Sequence, residues 1–417
     1  MRVLKKISQN VVLRQSILLL SSTILSMFSL IIINFFLTHL LTPELFGNYS
    51  FLINIFTFSQ IVFNFGFFQS ICRLIAVSND KRRNRELYSI GLIILFFLSI
   101  LMFLSLLVYA FTSQHIKDNN LFYTFLLILP FGGVYLLTNF NELILQSDNK
   151  IFLLSISRLF PRILFVLILF TLFILEIGNN LNLILVLYFC SYLIIYLYII
   201  YCLKPKFSNI KQRFIEVWRA NCQYGFHIYI GALFAVGVSN LIGILISYFE
   251  KSNIPVGYYN IALQLSAPLA LIPNVVATVS FKKFAQQDKI NIKVVFFMLI
   301  VSISILALIL LLARPLVGIV YGESYLESVE LIKFLSIGSL LYGVADFYNR
   351  FLLSKGKGAE LRNASIIVGA ILLIASLLFI YLFGVKGAAY SKIIAGISYI
   401  LVMIYFYGKV VRTNTVM

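Results

Sequence analysis

The fold class predicted by this sequence is an all-α integral membrane protein. It is expected to have about twelve transmembrane helices in two pseudo-repeated six-helix lobes around a central cavity, with both termini cytoplasmic. Three observations predict it. First, hydrophobic residues make up 61% of the 417 and charged residues 12%, and the mean hydropathy is +0.99, which is not the composition of a soluble domain of this size. Second, runs of roughly 18 or more nearly uncharged residues recur along the chain, each long enough to cross about 30 Å of hydrocarbon as a helix. They are continuous rather than alternating, which excludes the staves of a β-barrel. Third, the chain repeats itself. Gly47 and Tyr49 recur as Gly257 and Tyr259, Arg73 as Lys283, and Asn141 and Leu145 as Asn349 and Leu353. The expected organisation is a first lobe over 1–203, a basic cytoplasmic linker over 204–222 and a second lobe over 223–417.

Taken in order, the runs begin near residues 15, 48, 87, 121, 155, 181, 224, 257, 294, 329, 363 and 387. The first follows Arg2, Lys5 and Lys6 and so mimics a signal peptide. It spans 17–37 without a small-x-small cleavage site, so it is expected to stay as the first spanning helix. The second carries Ser50, Asn54, Thr57, Ile61, Asn64 and Phe68 at helical spacing. Its counterpart carries Asn260, Gln264, Ala267, Leu271, Asn274 and Thr278 in the same register. Each set is a mostly polar stripe on one face of an apolar helix. Such a stripe either glues helices together or lines a shared polar path, the plan of a secondary transporter. Pro268 and Pro273 fall in the eighth run and permit a bend there, whereas the second run has no proline. Lys204, Pro205 and Lys206 open the linker, in which Trp218 and Arg219 read as an amphipathic segment on the membrane surface. The main outer excursion is expected at 314–328.

The net charge of +18 describes topology rather than a nucleic-acid partner. Of 33 Lys and Arg, 27 fall on alternate connections that become cytoplasmic if the N-terminus is inside; Arg2, Lys5, Lys6, Arg14 and Lys282 are among them. Four fall on the outer connections, at Lys117, Lys251, Arg314 and Lys386, while Lys333 and Lys392 lie within helices. Cys72, Cys190, Cys202 and Cys222 form no CxxC pair and are expected as free thiols. No phosphate loop is present, and the basic turn 355–358 lacks its spacing. His39, His115 and His227 show no metal-ligand spacing, and the outer connections are too short to build a catalytic site. The expectation is a carrier without a cofactor, not an enzyme.

Ionisable residues in or beside the spans are the functional candidates, because charge within hydrocarbon is costly and usually has a purpose. Arg73, Arg158, Arg162, Lys283 and Arg350 fall in the cytoplasmic third of their helices. They either snorkel to the inner surface or face a wet cavity, where guanidinium groups suit a pyrophosphate. Arg158 and Arg162 are four apart, beside Pro161, with Arg162 about a turn deeper. Glu142 stands at the position equivalent to Arg350, and Asp346 is the second acid of this kind. A structural pair, an ion pair between lobes, and proton or sodium coupling are all open to them. Asn54, Thr57, Asn64, Asn260, Gln264 and Asn274 are the candidates for polar contacts within such a cavity.

The segment LTPELFGNYSFLINIFTFSQIVFNFGF at 41–67 resembles the second helix of the polysaccharide flippase family. These are the O-antigen and capsule repeat-unit translocases of the MATE-like exporter superfamily. The stretch 223–284, including VGYYNIALQLSAPLALIPNVVATVSFKKFA, resembles the family's seventh and eighth helices. IVYGESYLESVELIKFLSIGSLLYG at 319–343 and FGVKGAAYSKIIA at 383–395 are similar as well. The resemblance spans nearly the whole chain and rests on order and spacing rather than on one diagnostic motif. It implies alternating access by two lobes in the bacterial cytoplasmic membrane. The implied substrate is an undecaprenyl-pyrophosphate-linked oligosaccharide moved from the inner to the outer leaflet. Membrane lipids and other glycan-assembly membrane proteins are the implied partners. Two alternatives stand beside this: an ion-coupled multidrug or small-molecule exporter of the same superfamily, and a non-transporting organiser of glycan assembly.

Overall fold

The computed structural model describes residues 11–78 and 80–416. Arg2, Lys5 and Lys6, and the side chains of Arg14 and Lys282, lie outside the described residues. Every regular element described is helical, and 12 helices are long and apolar enough to cross a membrane. The chain is therefore an all-α, multi-pass membrane protein. By contact it forms two units. One holds residues up to Leu45 together with Phe56–Ile230, and the other holds Phe46–Ile55 together with Gly231 onward.

The first unit contains α1 (Val11–Leu40), the ends of α2 (Pro43–Val62), α3 (Phe67–Ala76), α4 (Lys81–Thr112), α5 (Gln114–Asp118) and α6 (Phe122–Ile128). It continues with α7 (Gly133–Ser147), α8 (Ile151–Ile174), α9 (Leu181–Leu203), α10 (Ile210–Ala220) and the start of α11 (Phe226–Ala232). Local chemistry sets several starts. Thr42 caps α2, accepting from the Leu45 N–H at 3.3 Å ahead of Pro43 at the first helical position. Asp80 caps α4 at 2.8 Å and Asn180 caps α9 at 3.0 Å. Inside the unit, Phe56, Phe125, Tyr135 and Phe189 pack ring to ring at 5.3–6.0 Å. Phe96, Phe97, Ile100 and Leu104 on α4 stay exposed on the protein surface, as lipid-facing side chains must.

The stripe expected on one continuous second helix is divided. Ser50, Asn54, Thr57 and Ile61 lie on α2, Asn64 lies in the turn beyond it, and Phe68 lies on α3. Phe65 and Gly66 take φ of 47° and 82°, which ends the helix. The backbone groups released there find partners on the segment after α10. The Tyr229 hydroxyl donates to the Val62 carbonyl at 2.8 Å, and the Asn221 amide donates to the Phe65 carbonyl at 3.2 Å. A Cβ on Gly66 would collide with the Gly225 backbone, so only glycine permits this approach. In the proline-bearing counterpart the interruption is one residue long. α13 (Ile254–Ser266) and α14 (Pro268–Gln286) are separated only by Ala267, which keeps helical angles of −58° and −36°.

Within 204–222, only 204–209 is non-helical. From Ile210 the chain is helical to Glu250, with π-turns at Asn221–Gly225 and Leu233–Gly237, so Trp218 and Arg219 sit on the first turns of a long helical run. Residues 204–216 are tied to the start of α4. The Glu86 carboxylate, 2% exposed, accepts from Ser208 at 2.8 Å, Asn209 at 3.2 Å and Arg213 at 2.9 Å. Arg85 donates to the Lys204 carbonyl at 2.6 Å, and Glu216 pairs with both Arg83 and Arg213.

The second unit holds α12 (Val238–Glu250), α13, α14, α15 (Ile292–Val320), α16 (Ser328–Ser354), α17 (Gly358–Phe383) and α18 (Val385–Val416), with the middle of α2. α16 is its centre, packed by α13, α14, α15 and α18. Phe284, Phe347, Phe351, Met298 and Met403 fill the core beneath it. Here the repeated glycines acquire a reason. A Cβ on Gly257 would lie 3.5 Å from the Gly47 Cα and 2.9 Å from the Phe46 ring, so the two helix starts cross where neither has a side chain. Asn253 donates to Asn48 beside this crossing at 2.6 Å and is also hydrogen-bonded to Ser247.

Candidate functional site

The first unit holds a partly open cavity of about 310 Å³ lined from four helices. α1 contributes Thr23, Ser26 and Met27; α7 contributes Thr138 and Glu142; α8 contributes Ser157, Arg158 and Arg162; α9 contributes Tyr192 and Tyr196. Arg158 and Arg162 point the same way because four residues make about one helical turn, and Pro161 between them is buried. Arg158 grips Glu142 with two nitrogens, Nε lying 3.0 Å from Oε2 and Nη2 reaching Oε1, and its Nη1 donates to Thr23 at 3.1 Å. Arg162 donates through Nη1 to the Ser26 carbonyl at 2.8 Å and to its hydroxyl at 2.6 Å. The Tyr196 hydroxyl bonds to Thr138. Two guanidinium groups against one carboxylate leave the cavity with a net positive charge, fringed by hydroxyls and phenols. Such a chamber can hold an oxyanion by charge-assisted hydrogen bonds.

The second unit carries a polar seam along α16. Asp346 accepts from the Tyr399 hydroxyl at 2.9 Å, and that hydroxyl accepts from Asn349 at 2.9 Å. Arg350 donates to Asn274 at 3.3 Å, so two of the candidates meet there. Toward the other end of the seam, the Lys392 ammonium donates to Ser339 at 2.8 Å, which donates to Ser266 at 3.3 Å.

The structure thus gathers Arg158, Arg162 and Glu142 in one place, and Asn274, Arg350 and Asp346 along another. Of the readings open to Glu142, a pair within its own unit is realised, with Arg158 as partner. Arg73 is exposed, its guanidinium 4.4 Å from the Tyr224 ring centre. Lys283 is exposed at the last turn of α14. Asn54 lies against Gly243 of α12, and Thr57 is hydrogen-bonded to Tyr135. Asn64 is 5% exposed in the turn after α2, with its carbonyl oxygen unpartnered. Asn260 and Gln264 are half-buried on α13. Sequence reasoning missed the other lining groups. Tyr188, Tyr192 and Tyr196, at successive turns with rings 4.8 and 5.9 Å apart, were the available signal. All four cysteines are free thiols. Among the described residues no group of three or more His, Cys, Asp or Glu is placed to hold a metal.

A family model described as polysaccharide biosynthesis protein matches residues 12–287. The capsular polysaccharide biosynthesis protein CapF of Staphylococcus aureus is 24% identical over 354 residues, covering 81% of this chain and 86% of that protein. Among solved structures, the lipid II flippase MurJ in an inward closed conformation superposes with a TM-score of 0.72. It shares 18% identity and covers 94% of this chain and 86% of its own. An inward-facing multidrug resistance MATE family transporter of the MOP superfamily reaches 0.67 at 14% identity, covering 95% and 99%. At these identities the structural likeness is one of fold.

Proposed function

The chain belongs to the polysaccharide biosynthesis protein family, and from that premise we propose that it is a flippase for lipid-linked glycans. It moves an undecaprenyl-pyrophosphate-linked oligosaccharide from the inner to the outer leaflet of the bacterial cytoplasmic membrane by alternating access, for O-antigen or capsule assembly. The observation that carries this reading is the cationic cavity of the first unit. Arg158 and Arg162 offer planar donors to phosphate, with the hydroxyls of Thr23, Ser26, Thr138 and Ser157 and the phenols of Tyr192 and Tyr196 around them. The task requires shielding sugar and phosphate from hydrocarbon while the polyprenyl tail stays in lipid, which a chamber walled by four spanning helices can do. Its positive charge is the wrong sign for an amphiphilic cation, which disfavours drug export. Outward movement of negative charge is downhill across an inside-negative membrane, by about 2.3 kcal/mol per charge per 100 mV.

The test is mass spectrometry of lipids retained by the protein purified from its own host in mild detergent. A mass fitting polyprenyl pyrophosphate with sugars, lost in Arg162→Ala, is expected. Ordinary phospholipids alone, with saturable binding of amphiphilic cations, would overturn the reading in favour of an exporter.

A further inference from the structure

Beyond α9 the chain carries cations that no carboxylate meets. Lys204, Lys206, Lys211 and Arg219 form no ion pair among the described residues, whereas Arg213 is held by Glu86 and Glu216. Glu216 is the one carboxylate between 204 and 219, and Arg83 and Arg213 already occupy it. Beside these cations runs a row of apolar side chains that the protein does not cover. Ile210, Phe214 and Trp218 recur every four residues along α10, and with Phe207 and Ile215 they are 41–60% exposed. Arg213 and Glu216 lie on a different face, fastened to α4 through Glu86 and Arg83. We propose that α10 and the turn before it form a docking surface for anionic phospholipid headgroups, with the apolar row seated against the acyl chains. The surface is independent of the carrier's cargo and does not rest on the flippase reading.

Neither water nor hydrocarbon suits this segment. Five large apolar side chains make a poor surface for water, and Lys211, Arg213, Glu216 and Arg219 make α10 too costly for the bilayer core. A helix divided in this way lies in the interface, with its apolar side toward the acyl chains. The structure fixes its level. Lys204 directly follows the last residue of α9 and Lys81 opens α4, so both mark ends of spanning helices. The Lys206 N–H donates to the Arg85 carbonyl at 3.0 Å, and the Arg85 side chain donates to the Lys204 carbonyl at 2.6 Å. The segment is thereby pinned at headgroup depth, where lipid is always present and a soluble protein would have to displace it. An open groove of about 490 Å³ runs along Asn209, Ile210, Lys211, Gln212 and Ile215, setting one cation and two amides beside apolar groups. Four or more cations at the end of a spanning segment attract anionic lipid, each contributing about fivefold. The charge asymmetry of the connections predicts the inner leaflet for this surface.

Trp218 is the only tryptophan in the chain, so its fluorescence reads this surface without a label. The full chain is reconstituted in vesicles of phosphatidylcholine and phosphatidylglycerol, with bromine on the acyl chains of one lipid or the other. At equal mole fraction, brominated phosphatidylglycerol should quench Trp218 more strongly, corresponding to a preference of about fivefold at low salt. The preference should fall toward parity in about 1 M salt, where screening acts within about 3 Å. Lys211→Gln combined with Arg219→Gln should lose most of the preference while both lipids still quench. Both side chains are exposed and unpaired, and the salt series on the unmodified protein gives a second reading that needs no variant. Equal quenching by the two lipids at low salt overturns the anionic preference. Quenching by aqueous iodide but not by brominated chains overturns the docking itself and leaves the apolar row to a soluble protein. Displacement of brominated phosphatidylglycerol by farnesyl pyrophosphate at matched mole fraction overturns the assignment to bulk phospholipid and gives the surface to pyrophosphate-linked cargo.

Discussion

Glu86 offers the sharpest test of how the first unit is held together at its basic end. The carboxylate is 2% exposed and accepts from Ser208, Asn209 and Arg213 at 2.8–3.2 Å. Glu86→Ala deletes three hydrogen bonds to a charged acceptor, and breaking a buried ion pair typically costs 3–5 kcal/mol. Arg213 keeps Glu216 at 2.8 Å, so it is not left without a counter-ion, and the lower end of that range applies, about 3 kcal/mol. At roughly 2–4 °C per kcal/mol for a unit of this order of size, the melting temperature should fall by about 6–12 °C. Glu86→Gln keeps the shape and the acceptor for Ser208 but loses the charge, so about half the loss is expected. The assay is thermal unfolding of the detergent-solubilised protein by intrinsic fluorescence, with a double-mutant cycle against Arg213→Met. The coupling energy should be about 1 kcal/mol or more. A shift below about 1 °C for Glu86→Ala, or a coupling near zero, refutes the claim that this carboxylate anchors residues 204–213.

Three further outcomes follow from particular contacts. Gly66→Ala places a Cβ in a left-handed backbone against Gly225 and should cost on the order of 2–4 kcal/mol, whereas Gly231→Ala, with open space around it, should stabilise slightly; equal effects on unfolding would refute the close approach. Burial raises the Cys72 thiol above its ordinary range, against a smaller opposing hydrogen bond with Ser147. Its thiolate fraction at neutral pH is therefore low, so Cys72 should react with maleimide more slowly than the exposed Cys222 and gain more from raising the pH; peptide mapping of the labelled sites reads both. Lys392 places a cation inside a helix bundle with Ser339 as its hydrogen-bond partner and no ion pair among the described residues, so Lys392→Met should leave stability unchanged or raise it; a loss above about 2 kcal/mol refutes this.

Legibility differed by kind of information. The spans were legible because hydrocarbon imposes a local requirement, about twenty apolar residues, that composition alone reveals. Gly47 and Gly257 were legible as a repeat, although their reason, a crossing too close for a Cβ, was not. The break at Gly66 was hidden because the groups that satisfy it lie far along the chain. Ser70 meets Asn221 at a separation of 151 residues, and Tyr229 serves Val62. Pro268 and Pro273 were legible as positions where the helix can be interrupted, and it is interrupted at Ala267, directly ahead of Pro268.

What the sequence by itself determined is the class of the protein, the length and order of its spans and the residues able to carry charge within them. Those properties depend on how each segment partitions between water and lipid, which needs no neighbour. Only the tertiary structure decided which face of each helix turns inward. α1 and α9 have no single apolar face, so their own pattern does not choose which side turns inward, and packing against other helices must. That choice brought Thr23 and Ser26 from α1 and Tyr192 and Tyr196 from α9 to the two arginines of α8. It also gave Arg158 the carboxylate of Glu142, so a list of candidate charges became a chamber with one guanidinium occupied and one with donors to spare.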